Sequence, residues 1–85
     1  MIEDAGQRTT KYLETTTKSL GRIKRRTLPS TVSKDQVEKV MELVHGYTKD
    51  AKHYLETNKS VTSLACIAYA EGLLDALKFL ELIEY

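Results

Sequence analysis

Apolar positions recur at spacings of three and four along three stretches of this 85-residue chain, and no alternating run is long enough to predict a strand of more than about four residues. The clearest stretch is Val37, Val40, Met41, Val44, Tyr47, Ala51, Tyr54 and Leu55. It follows Ser33-Lys34-Asp35-Gln36, in which the serine can cap a helix and the glutamine three residues on can bond back to the cap. A helix over about 34–57 is predicted. Gly46 lies inside it at a cost of about 1 kcal/mol relative to alanine, which predicts a close backbone contact there. Upstream, Ile2, Ala5, Thr9, Tyr12, Leu13, Thr16, Leu20, Ile23 and Thr27 predict a weaker helix over about 3–27. Its threonines lower helix propensity, so it depends on docking, and its turns before about residue 9 are expected to fray. Leu28-Pro29 stops it, because proline pushes the preceding residue out of the α region. Thr57-Asn58-Lys59 forms the second turn, and Ser60 or Thr62 can cap a third helix over about 61–83.

That third helix differs from the others in being apolar nearly all round, which marks a central or partner-bound helix. Ala65, Ala68, Gly72 and Ala76 gather on one side, with Val61, Tyr69, Phe79, Leu80 and Ile83 beside them. A column of small residues suits close helix approach, so this side is expected to face the core. Leu64, Ile67, Leu74 and Leu82 then lie off the core face, next to a polar stripe of Glu71, Asp75 and Lys78. They become the candidate interface, since an exposed apolar set of that kind on a monomer is an aggregation liability. Two short connections between three helices predict an all-α fold: a single antiparallel up-down-up three-helix bundle forming one domain over residues 1–85.

Composition narrows the function without naming it. Thirteen basic and twelve acidic residues leave a net charge of +1, which favours neither nucleic acid nor a membrane surface as partner. Locally, Lys18, Arg22, Lys24, Arg25 and Arg26 form a basic patch. Basic residues near a helix C-terminus are favoured by its dipole; the alternative reading is phosphate contact by a nucleic-acid accessory protein. The single cysteine, Cys66, cannot form an internal disulfide and fits a reducing, cytoplasmic setting. Set in an apolar helix, its thiol is expected to be buried and unreactive. No run reads as a signal peptide or as a membrane span. Asp50 and His53 on one helix and Glu71 and Asp75 on the next are weak candidates for a metal site, although bundle metal sites carry a Glu-x-x-His on each of two helices and only one Asp-x-x-His is present. No phosphate loop, zinc spacing or nucleophile motif occurs. The expectation is therefore a non-enzyme with no cofactor, and a metal-dependent enzyme is the remote alternative.

The run Tyr47, Asp50-Ala51, Tyr54-Leu55, then Ala65, Tyr69-Ala70-Glu71-Gly72 and Leu74-Asp75-Ala76 resembles the archaeal family catalogued as domain of unknown function 357. Its turn, Thr57-Asn58-Lys59-Ser60-Val61, departs from the family's. The resemblance implies a small three-helix bundle of archaeal cytoplasmic origin and no established activity. Tetratricopeptide hairpins share the Ala-Tyr-Ala-Glu-Gly string, but a lone hairpin lacks the stacking neighbours it needs. The chain is thus expected to be an interaction or scaffold module. Its expected partner is a second copy, as a homodimer, or another protein.

Overall fold

The computed structural model describes residues 4–85. Three helices, α1 (Ala5–Leu20), α2 (Lys34–Glu56) and α3 (Ser60–Phe79), pack against one another as an all-α bundle, with α3 in contact with both of the others. Two two-residue strands, β1 (Lys24–Arg25) and β2 (Ile83–Glu84), pair antiparallel with Lys24 opposite Glu84 and Arg25 opposite Ile83. The helix limits therefore differ from expectation at two ends. The first helix stops at Leu20, where Gly21 and Arg22 turn the chain, and the third stops at Phe79, where Glu81 takes a left-handed backbone (φ 60°). Ile23 and Ile83, read as helical repeats, instead lie in or beside the strand pair, and Ile83 reaches the core. A backbone bond from Arg26 N–H to Leu82 O (3.2 Å) extends the tie between the two tails.

Each helix start has a local cause. Asp4 caps α1 through its carboxylate, which accepts from the Gly6 and Gln7 amides. Of the turns before about residue 9 that are expected to fray, residues 1–3 lie outside the described residues and Ala5 onward is helical. At α2 both bonds of the capping box form, Gln36 N–H to Ser33 Oγ at 3.1 Å and Ser33 N–H to Gln36 Oε1 at 2.9 Å. For α3 neither Ser60 nor Thr62 caps; the N-cap is Lys59, with no side-chain bond. Asn58 in a left-handed conformation (φ 63°) and a 2.8 Å bond from Lys59 N–H to Tyr54 O set that turn instead.

The core is Val37, Met41, Val44 and Ala51 of α2 against Ile67, Ala70, Leu74 and Leu77 of α3, closed by Leu82 and Ile83. This corrects the expected orientation of the third helix. Ile67, Leu74 and Leu82, the candidate interface, are buried inside the single chain, and Leu64 is half-buried against the same cluster. The small column Ala65, Ala68, Gly72 and Ala76 faces solvent. Small residues do mediate the close α2–α3 approach, but they are Ala51, Ser63 and Ala70, all with no exposed surface. The Ser63 hydroxyl donates to the Ala51 carbonyl across the pair. Helix α1 docks through buried Thr9, Thr16 and Ser19, with Tyr12, Leu13 and Leu20 half-buried against the core beside them. The Thr9 hydroxyl donates to Ala5 O (2.6 Å) within its own helix and, at 3.4 Å, reaches Ser60 O on α3. Gly46 makes no close approach, since a Cβ built there meets nothing within 4 Å.

Two substitutions separate these roles. Ile67→Ala should lower stability by about 2–5 kcal/mol through lost burial and a residual cavity, read as the urea unfolding midpoint. Gly46→Ala should raise stability by about 1 kcal/mol, because the added methyl enters open space and removes the glycine penalty.

Candidate protein-interaction surface

The buried column of α3, Ser63, Ile67, Ala70, Leu74 and Leu77, repeats at four, three, four and three residues. A second column, Val61, Ala65, Ala68, Gly72, Ala76 and Phe79, repeats in the same way on the opposite side of the helix and is exposed throughout. Large apolar side chains stand at its two ends, with Val61 75% and Phe79 79% exposed. Between them the surface is low, and a Cβ built on Gly72 also meets nothing within 4 Å. Leu80 (68%) and Tyr69 (51%) flank the column, and Leu43 (48%) on α2 is the other large apolar side chain left exposed among the described residues. All five lie on α2, α3 or the residue that caps α3. The Tyr69 ring rests on Tyr47 of α2 at 4.6 Å between centroids, which carries the apolar surface across the hairpin.

The polar stripe of α3 is not opposite the core but beside α1. Thr16 Oγ1 donates to Glu71 Oε1 at 3.2 Å, and the Tyr85 hydroxyl donates to Asp75 Oδ1 at 3.3 Å. Thr15, Thr16, Ser19, Glu71, Leu74, Asp75, Lys78 and Tyr85 line a small groove here, and the Lys78 ammonium sits 4.5 Å from the centroid of the Tyr85 ring. Burial in this groove pushes the Glu71 carboxyl above its ordinary value, opposed by the Thr16 bond and helped by the nearby Asp75 charge. Burial also raises the Tyr85 hydroxyl, with Asp75 adding to it.

The remaining candidates disperse. Among the described residues no three His, Cys, Asp or Glu side chains gather to hold a metal ion, so Asp50 and His53 do not join Glu71 and Asp75. His53 instead sets its ring edge against Tyr54. Cys66 is half-buried, and its thiol is raised first by that burial and second by the Asp50 charge, which disfavours the nucleophilic thiolate. In the basic patch, Arg25 forms a two-pronged pair with Glu38 (2.8 and 3.2 Å) and Arg26 pairs with Glu84 at 3.4 Å. Lys18, Arg22 and Lys24 are exposed. Two of the five cations therefore already carry a carboxylate partner, which weakens the patch as a phosphate surface.

Helix α3 is also long and apolar enough to cross a membrane by length and composition, with a mean hydropathy of 1.3 over its most apolar 18 residues. The sequence pattern had not shown this, because Glu71 and Asp75 interrupt the run. In the bundle 28% of that window is buried, and Leu64, Cys66 and Leu73 pack half-buried against the core beside it.

A family model described as a protein of unknown function, DUF357, matches residues 11–83. The chain belongs to the DUF357 family. No curated protein and no solved structure matches it. In this DUF357 chain the run that carries the resemblance divides between both sides of the hairpin: Ala51, Ala70 and Leu74 are core, whereas Asp50, Ala65, Tyr69, Gly72 and Ala76 are exposed. The outer column was visible in the sequence as a set of residues, but it was assigned to the wrong side of α3.

The groove beside α1 yields a pH prediction. A carboxyl whose folded pKa is raised adds stability that is fully present below its ordinary value of 4.5 and is lost as pH rises through the raised value. Glu71→Gln should therefore raise the thermal midpoint at pH 7 and leave it close to wild type near pH 3. Midpoints of the two proteins compared across that range check the sign.

Proposed function

We propose that this DUF357 chain is a non-enzymatic helical module that engages protein through the outer face of α3. The carrying observation is the exposed column Val61, Ala65, Ala68, Gly72, Ala76 and Phe79, on the side of α3 opposite its buried residues. A soluble helix normally presents charge opposite its core; here the two carboxylates sit to one side, beside α1. Apolar side chains as exposed as Phe79 and Val61 on one face, with Leu80 beside them, are what a docking surface offers and what an isolated domain avoids. The chemistry available elsewhere supports the non-enzymatic part of the reading. Burial raises the pKa of the thiol, and among the described residues no three His, Cys, Asp or Glu side chains gather to hold a metal ion.

The test is the size of the chain in an extract of its own source organism, compared with the Ala68→Arg variant. Ala68 is exposed, so the arginine should leave the fold intact, with an unchanged helical signal. The wild type should run well above its 9.7 kDa and the variant at monomer size. A wild type that runs as a monomer there would reject the reading.

A further inference from the structure

We infer that the groove between α1 and α3 binds a primary alkylammonium group, held by the Glu71 and Asp75 carboxylates and the Ser19 hydroxyl. The site lies beside α1 and does not depend on the outer face of α3. The observation that marks it is Ser19. This residue is only 8% exposed, yet its hydroxyl makes no hydrogen bond among the described residues. The neighbouring hydroxyls on the same helix, Thr9 and Thr16, both have partners. Among the described residues no side-chain oxygen sealed from solvent lacks a partner. The Ser19 oxygen therefore keeps a small open surface, and the concavity that Ser19 lines is this groove. Buried hydroxyls are as a rule hydrogen-bonded, so an unbonded one at the wall of a polar groove is completed by what enters it.

The acceptors around it are placed by the helix register. Thr9 reaches Ser60 and Thr16 reaches Glu71, so α1 and α3 run in the same direction. Ser19 lies about 4.5 Å along α1 beyond Thr16, and Asp75 about 6 Å along α3 beyond Glu71, which sets Ser19 beside the carboxylate pair. Thr16 occupies Glu71 Oε1 and Tyr85 occupies Asp75 Oδ1. The second oxygen of each carboxylate makes no hydrogen bond among the described residues. Two carboxylate oxygens and one hydroxyl therefore remain for a ligand, and a primary ammonium has three N–H donors to give them.

Charge selects the same occupant. Glu71 and Asp75 are anionic and Lys78 cationic, so the groove carries one uncompensated negative charge. The Lys78 ammonium sits over the Tyr85 ring and pairs with neither carboxylate. One monovalent cation neutralises the site. A divalent metal ion would leave it positive, and would find two carboxylates where such ions take about six oxygen ligands or more. Burial raises the Glu71 carboxyl, and a cation seated beside it favours the charged form again. The groove holds about 250 Å³, below the roughly 300–1,000 Å³ of drug-sized ligand sites, and Leu74 gives it an apolar wall for the carbons next to the nitrogen.

Butylammonium chloride titrated into the purified chain at pH 7, followed by amide chemical shifts, tests the site. Saturable shifts should centre on residues 15–19 and 71–75. Ser19→Ala removes a hydroxyl that bonds to nothing in the chain, so the variant should melt at or above the wild-type temperature while its affinity for butylammonium falls at least fivefold. Asp75→Asn, at an exposed position, should lower that affinity at least tenfold. Tetramethylammonium carries the same charge without N–H donors and should not compete. A free amine and a lysine side chain share this chemistry: Nα-acetyl-lysine methylamide binding more tightly than butylammonium assigns the ammonium to a peptide, and binding more weakly assigns it to a small amine. Absence of saturable butylammonium shifts, equal binding of tetramethylammonium, or unchanged affinity in either folded variant would overturn the proposal. Mg²⁺ saturating the same amides while butylammonium does not would give the groove to a metal ion and overturn it as well.

Discussion

The close approach of α2 and α3 is the constraint on which the rest of the bundle depends. Ala51, Ser63 and Ala70 have no exposed surface, and the small side chains of Ala51 and Ser63 let the two backbones come together near the Asn58 turn. The Ser63 hydroxyl satisfies itself on the Ala51 carbonyl, so a polar atom is buried without an unmet bond. From that point Val44, Met41 and Val37 run along α2 while Ile67, Leu74 and Leu77 run along α3, and their larger side chains fill the widening gap. Helix α1 lies in the groove beside this pair, with Tyr12, Leu13 and Leu20 half-buried against the core. Short hydroxyl side chains at Thr9, Thr16 and Ser19 fit it, with Thr9 and Thr16 satisfied by helix carbonyls or by Glu71. The strand pair locks the far end, where Leu82 and Ile83 cover the base of the core.

Helix α2 was legible because every local signal agreed. Its capping box and its single apolar stripe at 3.6 residues per turn fix both where it begins and which side faces inward. The tails were less legible. Ile23 and Ile83 continue the helical spacing of their neighbours, and only the pairing of Lys24–Arg25 with Ile83–Glu84 shows that the chain has left the helix. That pairing is a contact between residues nearly sixty positions apart, which spacing along the sequence cannot display.

The rotation of α3 was misread for a physical reason. Periodicity locates a buried face only when the opposite face is polar, and α3 is apolar on both. With two columns of equal plausibility, small residues favour the outer column as the close-packing side, and the structure buries the other. The bundle uses that device too, but with Ala51 on α2 and Ser63 and Ala70 on α3, one of which reads as polar. A better signal lay in α2. Its inward stripe ends at Ala51, a small residue near the turn, and the position it meets on α3 must also be small and must satisfy any polar atom it carries. Ser63 meets that requirement.

The same ambiguity bears on function. In a helix selected only to complete a monomer, the carboxylates would be most stable opposite the core, in full contact with water. Glu71 and Asp75 stand instead beside α1, where burial raises Glu71 and destabilises its charged form. That placement leaves the positions Val61, Ala65, Ala68, Gly72, Ala76 and Phe79 without a charged side chain. The sector opposite the core therefore carries exposed apolar side chains at its two ends and, between them, a glycine that meets no neighbour within its own chain.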